Sequence, residues 1–148
     1  MMAIQIMTVT KSNVRQVADL QHALWPEHPL LDLIVAAQTA VQAAKSHYWL
    51  AMDGQKAVGF CEVTLRRDYV EGSDTSPTGY LEGIYVLPDY RRQGIGTELV
   101  NAAAHWLRTQ RVSAMGSDVA LDNTVSQAFH EALGFEETAR LVHYLRKN

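Results

Sequence analysis

Six consecutive residues, Arg91-Arg92-Gln93-Gly94-Ile95-Gly96, directly follow the apolar run Leu81-Glu82-Gly83-Ile84-Tyr85-Val86-Leu87-Pro88. The pattern reads as a strand running into the start of a helix, and such a junction holds anions. With no side chain at Gly94 or Gly96 to block a phosphate, the successive amide hydrogens from Gln93 to Thr97 can point at one anion, helped by the positive end of the following helix. Arg91 and Arg92 add charge, which suits a pyrophosphate. Two better-known glycine signatures fail: the dinucleotide fingerprint needs a glycine where Leu99 stands, and the Walker loop needs a Lys-Ser/Thr pair that is absent. The strand ahead of the loop carries Glu82 in an otherwise apolar run, where a carboxylate is costly unless it is used or paired. Thirty residues on, Asn123-Thr124-Val125-Ser126-Gln127-Ala128-Phe129-His130-Glu131-Ala132-Leu133-Gly134-Phe135 forms a second block. It reads as a short helix opened by Asp122 or Asn123 and stopped by Gly134.

Elements that position these residues follow from periodicity. Residues 4–9 read as a first strand, and Ser12 or Asn13 then caps a helix with apolar positions Val14, Val17, Ala18, Leu20 and Leu24, ended by Pro26. A second, Ala-rich helix is expected over residues 31–44. Residues 47–52 and 57–65, joined by Asp53-Gly54, form a hairpin by alternation and turn chemistry. The turn-rich stretch over residues 68–79 is long enough to be a functional lip. A fourth strand over 80–87, a helix over 94–109, a fifth strand over 113–119 and a last helix over 124–133 complete the interleaved part. Two short strands, at 136–138 and 141–146, are expected to finish the chain. The natural architecture is an α/β fold of α+β type, with a mixed, mainly antiparallel central sheet flanked by helices.

Bulk properties narrow the function classes. A chain of 148 residues, 47% hydrophobic and 20% charged, is expected to form a single domain over residues 1–148 with one sizeable core. Residues 1–10 show no basic lead into an apolar run, and the longest uncharged stretch, 33–44, is too short and too rich in Ala and Gln to span a bilayer. A cytoplasmic location is expected, with no membrane partner. One cysteine, Cys61, excludes an internal disulfide and reads as a buried, inert thiol. The net charge of −3 argues against general affinity for nucleic acid and favours a cationic substrate. The histidines besides His130 form no i, i+4 pair and have no Cys partner, so no metal is expected.

The two blocks together resemble the GCN5-related N-acetyltransferases, whose acetyl-CoA site uses an R/Q-x-x-G-x-G/A loop and a later N-x-x-S-x-x-F-[Y/H]-x-x-L-G-F helix. The resemblance implies that strands four and five splay apart and that the pantetheine arm lies in the gap like an extra strand. It implies acetyl-CoA as co-substrate, held by backbone amides around Ile84, Tyr85 and Val86, by the loop from Arg91 to Thr97, and by Asn123. Asn123 could equally be a helix cap, and both roles can coexist. Acetyl transfer to an amine needs a group to accept the proton of an ammonium that titrates near ~9 or higher. Glu82 is the candidate base; Asp118, at the end of strand five, would face it and could take the same proton or bind a neighbouring ammonium. His130 stands where many members of the family carry a tyrosine proposed to protonate the CoA thiolate. A histidine can do so as an imidazolium, but a thiolate with a pKa near ~8.5 can also leave unassisted, so helix packing stays open for it.

The acceptor side is acidic, with Asp68, Glu71 and Asp74 on the lip and Glu82 and Asp118 on the strands, a concentration that would draw a polycation. Trp25 and Tyr69 could offer flat faces to sugar rings or simply cover the core. Leu24-Trp25-Pro26-Glu27-His28-Pro29, Arg66-Arg67-Asp68-Tyr69-Val70-Glu71-Gly72, Thr75-Ser76-Pro77 and Leu133-Gly134-Phe135-Glu136-Glu137-Thr138 resemble segments of the short bacterial aminoglycoside 6'-N-acetyltransferases. In those enzymes the positions matching Trp25, Tyr69, Glu82 and Asp118 line the antibiotic site, which implies transfer to a 6'-amine in a ternary complex. The resemblance also implies a homodimer. Ala139 departs from it, standing where related sequences can place another acid. The alternatives are an acetyltransferase for a polyamine or protein lysine, and a non-catalytic acyl-CoA sensor.

Overall fold

The computed structural model describes residues 3–148; the expectation about residues 1–10 falls partly on Met1 and Met2, which lie outside the described residues. The elements run β1 (Ile4–Thr8), α1 (Val14–Leu24), α2 (Leu30–Gln42), β2 (His47–Asp53), β3 (Lys56–Arg66), β4 (Thr78–Val86), a 3-10 turn (Pro88–Tyr90), α3 (Ile95–Thr109), β5 (Met115–Gly116) and α4 (Thr124–Ala132). The five strands form one sheet in the order β1-β2-β3-β4-β5, antiparallel throughout except for the parallel pair β4–β5.

Alternation along the strands supplies both faces of the sheet with apolar side chains. One face buries Trp49, Ala51, Val58, Cys61, Val63 and Leu81 against Ile95, Leu99, Val100, Ala103 and Leu107 of α3. The other packs Tyr48, Leu50, Met52 and Phe60 on Val17 and Leu20 of α1. Cys61 is fully buried with its Sγ 3.6 Å from the Leu99 carbonyl oxygen, and burial pushes the thiol's pKa far up, which makes it unreactive. Asn13 stands at the N-cap of α1, but its side chain caps no helix amide. Its Oδ1 accepts from Thr10 N at 2.8 Å, so it closes the preceding turn instead.

Three expectations need correction. The fifth strand is two residues long rather than seven, because β5 meets β4 only at Gly79↔Met115 and Tyr80↔Gly116 before the two diverge. The strands expected at 136–138 and 141–146 are absent: residues 135–148 carry no helix or strand. Residues 136–138 are Glu136-Glu137-Thr138 and residues 141–146 are Leu141-Val142-His143-Tyr144-Leu145-Arg146, so neither segment has the period-two pattern of a half-buried strand. Among the described residues no strand pairs with them, and Leu141, Val142, Tyr144 and Leu145 stand 66–91% exposed.

Candidate active site

The divergence of β5 leaves the outer edge of β4 open beyond Tyr80. Which amides face that opening follows from ladder parity, since successive residues of a strand turn their N–H groups to opposite sides. Leu87 N donates to Val58 O at 2.8 Å, so Leu87 and Tyr85 face β3, while Ile84 and Val86 face the opening. Arg91 Nε donates to the Val86 carbonyl at 2.8 Å, as that orientation requires. The backbone of Tyr85, expected to bind the coenzyme, is therefore turned away; its ring packs toward the α1 side of the sheet.

At the end of β4 the chain enters the glycine loop. Tyr90 anchors it by donating its hydroxyl to Asp53 Oδ2 at 2.8 Å, across to the β2–β3 turn. Arg92 and Gly94 both have left-handed backbone, with φ of +63° and +78°. A left-handed arginine is uncommon, and alternation of this kind turns neighbouring amides to one side. Gly94 is the N-cap of α3 and no side chain caps that end, so the amides of Ile95, Gly96 and Thr97 lack a cap partner. Gln93, Thr97 and both arginines are exposed beside them. A diphosphate fits this donor set. Gly96 is glycine for a packing reason as well: a Cβ there would lie 2.7 Å and 2.9 Å from ring atoms of Phe129, so the missing side chain also admits α4.

Helix α4 brings the second block to the gap. Asn123 caps it, its Oδ1 accepting from Ser126 N at 3.1 Å. The side-chain amide nitrogen remains available on an exposed residue. His130 Nδ1 lies 2.8 Å from the Ser126 carbonyl, an oxygen that can only accept, so Nδ1 carries a proton. Its Nε2 lies 2.8 Å from Ser117 Oγ, and that hydroxyl is also 3.5 Å from the Leu81 carbonyl at the mouth of the splay. Both ring nitrogens are thus engaged.

On the other face of the sheet lies the acidic cluster. The β3–β4 register passes from Glu62↔Gly83 to Val63↔Leu81, which makes Glu82 the extra residue of a β-bulge. Glu82 Oε2 accepts from Thr64 Oγ1 at 2.5 Å and from Arg66 Nη2 and Nε at 3.0 and 3.2 Å; Oε1 accepts from Arg66 Nη2 at 2.9 Å. The Arg66 guanidinium stacks 3.4 Å over the Tyr80 ring, and the Tyr80 hydroxyl donates to Asp118. Burial, then the contact with Asp118, pushes the Tyr80 pKa up to about 12, so it remains a donor. Glu62, two residues before Thr64, accepts from Ser46 Oγ at 2.6 Å, and burial raises its pKa.

Trp25 lies over this cluster, its Cη2 only 3.1 Å from where a Cβ on Gly83 would stand. Tyr69 is 77% exposed on the lip, where Asp68, Glu71 and Asp74 are exposed as well. Of the residues expected at the acceptor side, Glu82 and Asp118 are joined through Arg66 and Tyr80, with Trp25 packed at the neighbouring Gly83, while Tyr69 and the lip acids stand exposed on their loop. Arg66, Thr64, Tyr80 and Ser117 escaped the sequence reading. The alternation Glu62, Thr64, Arg66 in an otherwise buried strand was the available signal for two of them. Among the described residues, no group of three or more His, Cys, Asp or Glu side chains could hold a metal ion.

A sheet opened between β4 and β5, an uncapped helix behind a left-handed loop, and carboxylates across the strand define an acyltransferase fold. The chain belongs to the acetyltransferase (GNAT) family, whose sequence model matches residues 14–135. It is similar to an aminoglycoside N(6')-acetyltransferase type 1 of Acinetobacter baumannii, 41% identical over 97% of both chains. Among solved structures it resembles the aminoglycoside N-acetyltransferase AAC(6')-Iy in complex with CoA, with a TM-score of 0.94, 35% identity and coverage of 100% and 97% of the two chains. The same enzyme bound to the bisubstrate analogue CoA-S-monomethyl-acetylneamine matches at a TM-score of 0.92, 36% identity and 99% coverage of each chain.

Proposed function

We propose that this protein is an acetyl-CoA-dependent N-acetyltransferase that modifies the 6'-amine of aminoglycosides by direct attack in a ternary complex, without an acyl-enzyme. The observation that carries the reading is the juxtaposition of an open β4 edge, ending in an anion-binding loop, with a carboxylate cluster walled by Trp25. Relatives named for aminoglycoside acetylation match over nearly the whole chain, and a neighbour binds a CoA–aminoglycoside bisubstrate analogue.

Acetyl-CoA supplies an acetyl group already activated as a thioester. The amides of Gln93 to Thr97 and the guanidinium groups of Arg91 and Arg92 would hold its diphosphate. Ile84 and Val86 would hydrogen-bond the pantetheine arm and the acetyl oxygen, joined by the Asn123 side-chain amide. Glu82 Oε1 receives the ammonium proton, directly or through one water, which frees the nitrogen lone pair for the carbonyl carbon. Asp118 holds a neighbouring ammonium. The new C–N bond forms as the C–S bond breaks, the sulfur leaves with the bonding pair, and the nitrogen sheds its second proton to solvent as the amide forms. Protonation of that sulfur by solvent suffices, and the His130–Ser117 pair offers a second route.

The same reading makes the protein a cytoplasmic single-domain homodimer. No helix among the described residues is long and apolar enough to cross a membrane. Support for the dimer comes from Leu141, Val142, Tyr144 and Leu145, an apolar, β-favouring segment exposed in one copy, and from Leu31 and Val35 of α2, 69% and 53% exposed. A second copy would bury both.

The test is a panel of amines at equal concentration, comprising kanamycin, spermidine and a lysine peptide, with mass detection of the product. Kanamycin should give the highest kcat/KM and a mono-acetylated product carrying the group on the 6'-nitrogen. A better polyamine or peptide substrate would redirect the acceptor assignment. Tight coenzyme binding with every amine unmodified would indicate a sensor.

A further inference from the structure

An acceptor face built to receive ammonium groups already holds a cation of its own. Arg66 grips Glu82 through both oxygens, with side-chain exposures of 42% and 26%. So exposed an ion pair contributes little to folding, and stability does not account for its place. Its geometry does. A carboxylate has about four acceptor directions. On Glu82 Oε2 they are taken by Thr64 and the Arg66 fork; on Oε1, Arg66 takes one and one remains.

The guanidinium is itself fixed from below. Tyr80, 9% exposed, offers its ring 3.4 Å beneath and hands its hydroxyl hydrogen to Asp118. We infer that Arg66, stacked on Tyr80, is a positioning residue for the acceptor: it aims Glu82 directly and steadies Asp118 through the Tyr80 hydroxyl, leaving one direction on Glu82 Oε1 to meet the reacting amine. Two carboxylates and one guanidinium keep one net negative charge. The cluster thereby discriminates by direction rather than by bulk charge, and selects an acceptor that delivers a single ammonium at the reacting position. This inference rests on the acceptor roles proposed above for Glu82 and Asp118.

Removing the guanidinium separates attraction from aim. Arg66→Ala should lower kcat for kanamycin roughly 30-fold because the carboxylate is no longer aimed, while KM for kanamycin stays level or falls since the site becomes more negative. Acetyl-CoA KM should stay within about twofold, and added guanidinium ion at low millimolar concentration should recover part of the lost kcat. Arg66→Lys, which keeps the charge but not the planar fork, should lose roughly tenfold. Tyr80→Phe keeps the stacking ring and frees Asp118, for a loss of a few-fold. The inference is overturned if Arg66→Ala turns over within about twofold of the unmodified enzyme, or if its loss comes with parallel rises in both KM values and no recovery by guanidinium. Should Arg66→Ala fail to fold, Arg66→Lys and Tyr80→Phe decide by the same split. An unmodified protein inactive on every aminoglycoside would instead remove the acceptor assignment itself.

Discussion

The two halves of this active site are made of different material. On the proposed coenzyme side the groups on offer are backbone amides: Ile84 and Val86 at the open strand edge and the uncapped first turn of α3. On the proposed acceptor side they are side chains: Glu82, Arg66, Tyr80 and Asp118, from three segments far apart in sequence. A backbone-built site is insensitive to what most of its side chains are, but sensitive to any atom that alters the path of the chain. A side-chain-built site has the opposite weakness, because its geometry is only as good as each rotamer and each partner. Coenzyme binding and acceptor chemistry should therefore fail separately.

Mutation can break that separation or sharpen it. The largest effect is expected at Glu82→Gln, which keeps the shape but cannot take a proton: kcat should fall about 100-fold or more, most at low pH where free amine is scarce, with acetyl-CoA affinity unchanged by titration calorimetry. Next comes Gly94→Val on the other side. The φ of +78° strains any side chain by roughly 1–2 kcal/mol, which should weaken acetyl-CoA about tenfold or more and leave KM for the acceptor alone. Gly96→Ala should act similarly by pressing on the Phe129 ring, whereas a side chain at Gly94 meets open space and strains only the backbone. Both variants should lower the melting temperature, and Phe129→Ala should relieve the Gly96→Ala loss but not that of Gly94→Val.

Smaller consequences are expected away from the reacting atoms. His130→Phe removes its ring hydrogen bonds to Ser117 and Ser126, and initial rates should drop no more than about fivefold if thiolate departure needs no dedicated acid. The smallest effect concerns Glu62. Its folded-state pKa is raised above the ordinary glutamate value, chiefly by burial, so its contribution to stability is greatest below that ordinary value and is lost as pH rises through the raised folded pKa. Glu62→Gln should accordingly raise the melting temperature, at pH above the raised Glu62 pKa, by roughly 2 °C or less and flatten its decline as pH rises.

The contrast also explains what could be read from the sequence. Strand-then-glycine-loop is local, so the positions of β4, the loop and α3 were legible to within two residues, as was the hairpin around Asp53-Gly54. The capping role of Asn123 was legible for the same reason. What depends on distant neighbours was not. Arg66 meets Glu82 only because a bulge re-aims β4, and no spacing rule announces a bulge. The packing of Gly96 against Phe129, thirty-three positions later, has no local signal either. The strand expected over residues 141–146 rests on apolar, β-favouring residues alone; the segment Leu141-Val142-His143-Tyr144-Leu145-Arg146 has no period-two alternation, and a strand forms only where another backbone lies alongside.

Direct transfer between two separately held substrates is the claim on which the rest depends. It is tested by varying acetyl-CoA and kanamycin together and following CoA release at early times. Intersecting double-reciprocal lines, with acetylated kanamycin formed in step with free CoA, are predicted. Parallel lines, which signal an acylated enzyme, or no CoA release above background would contradict it.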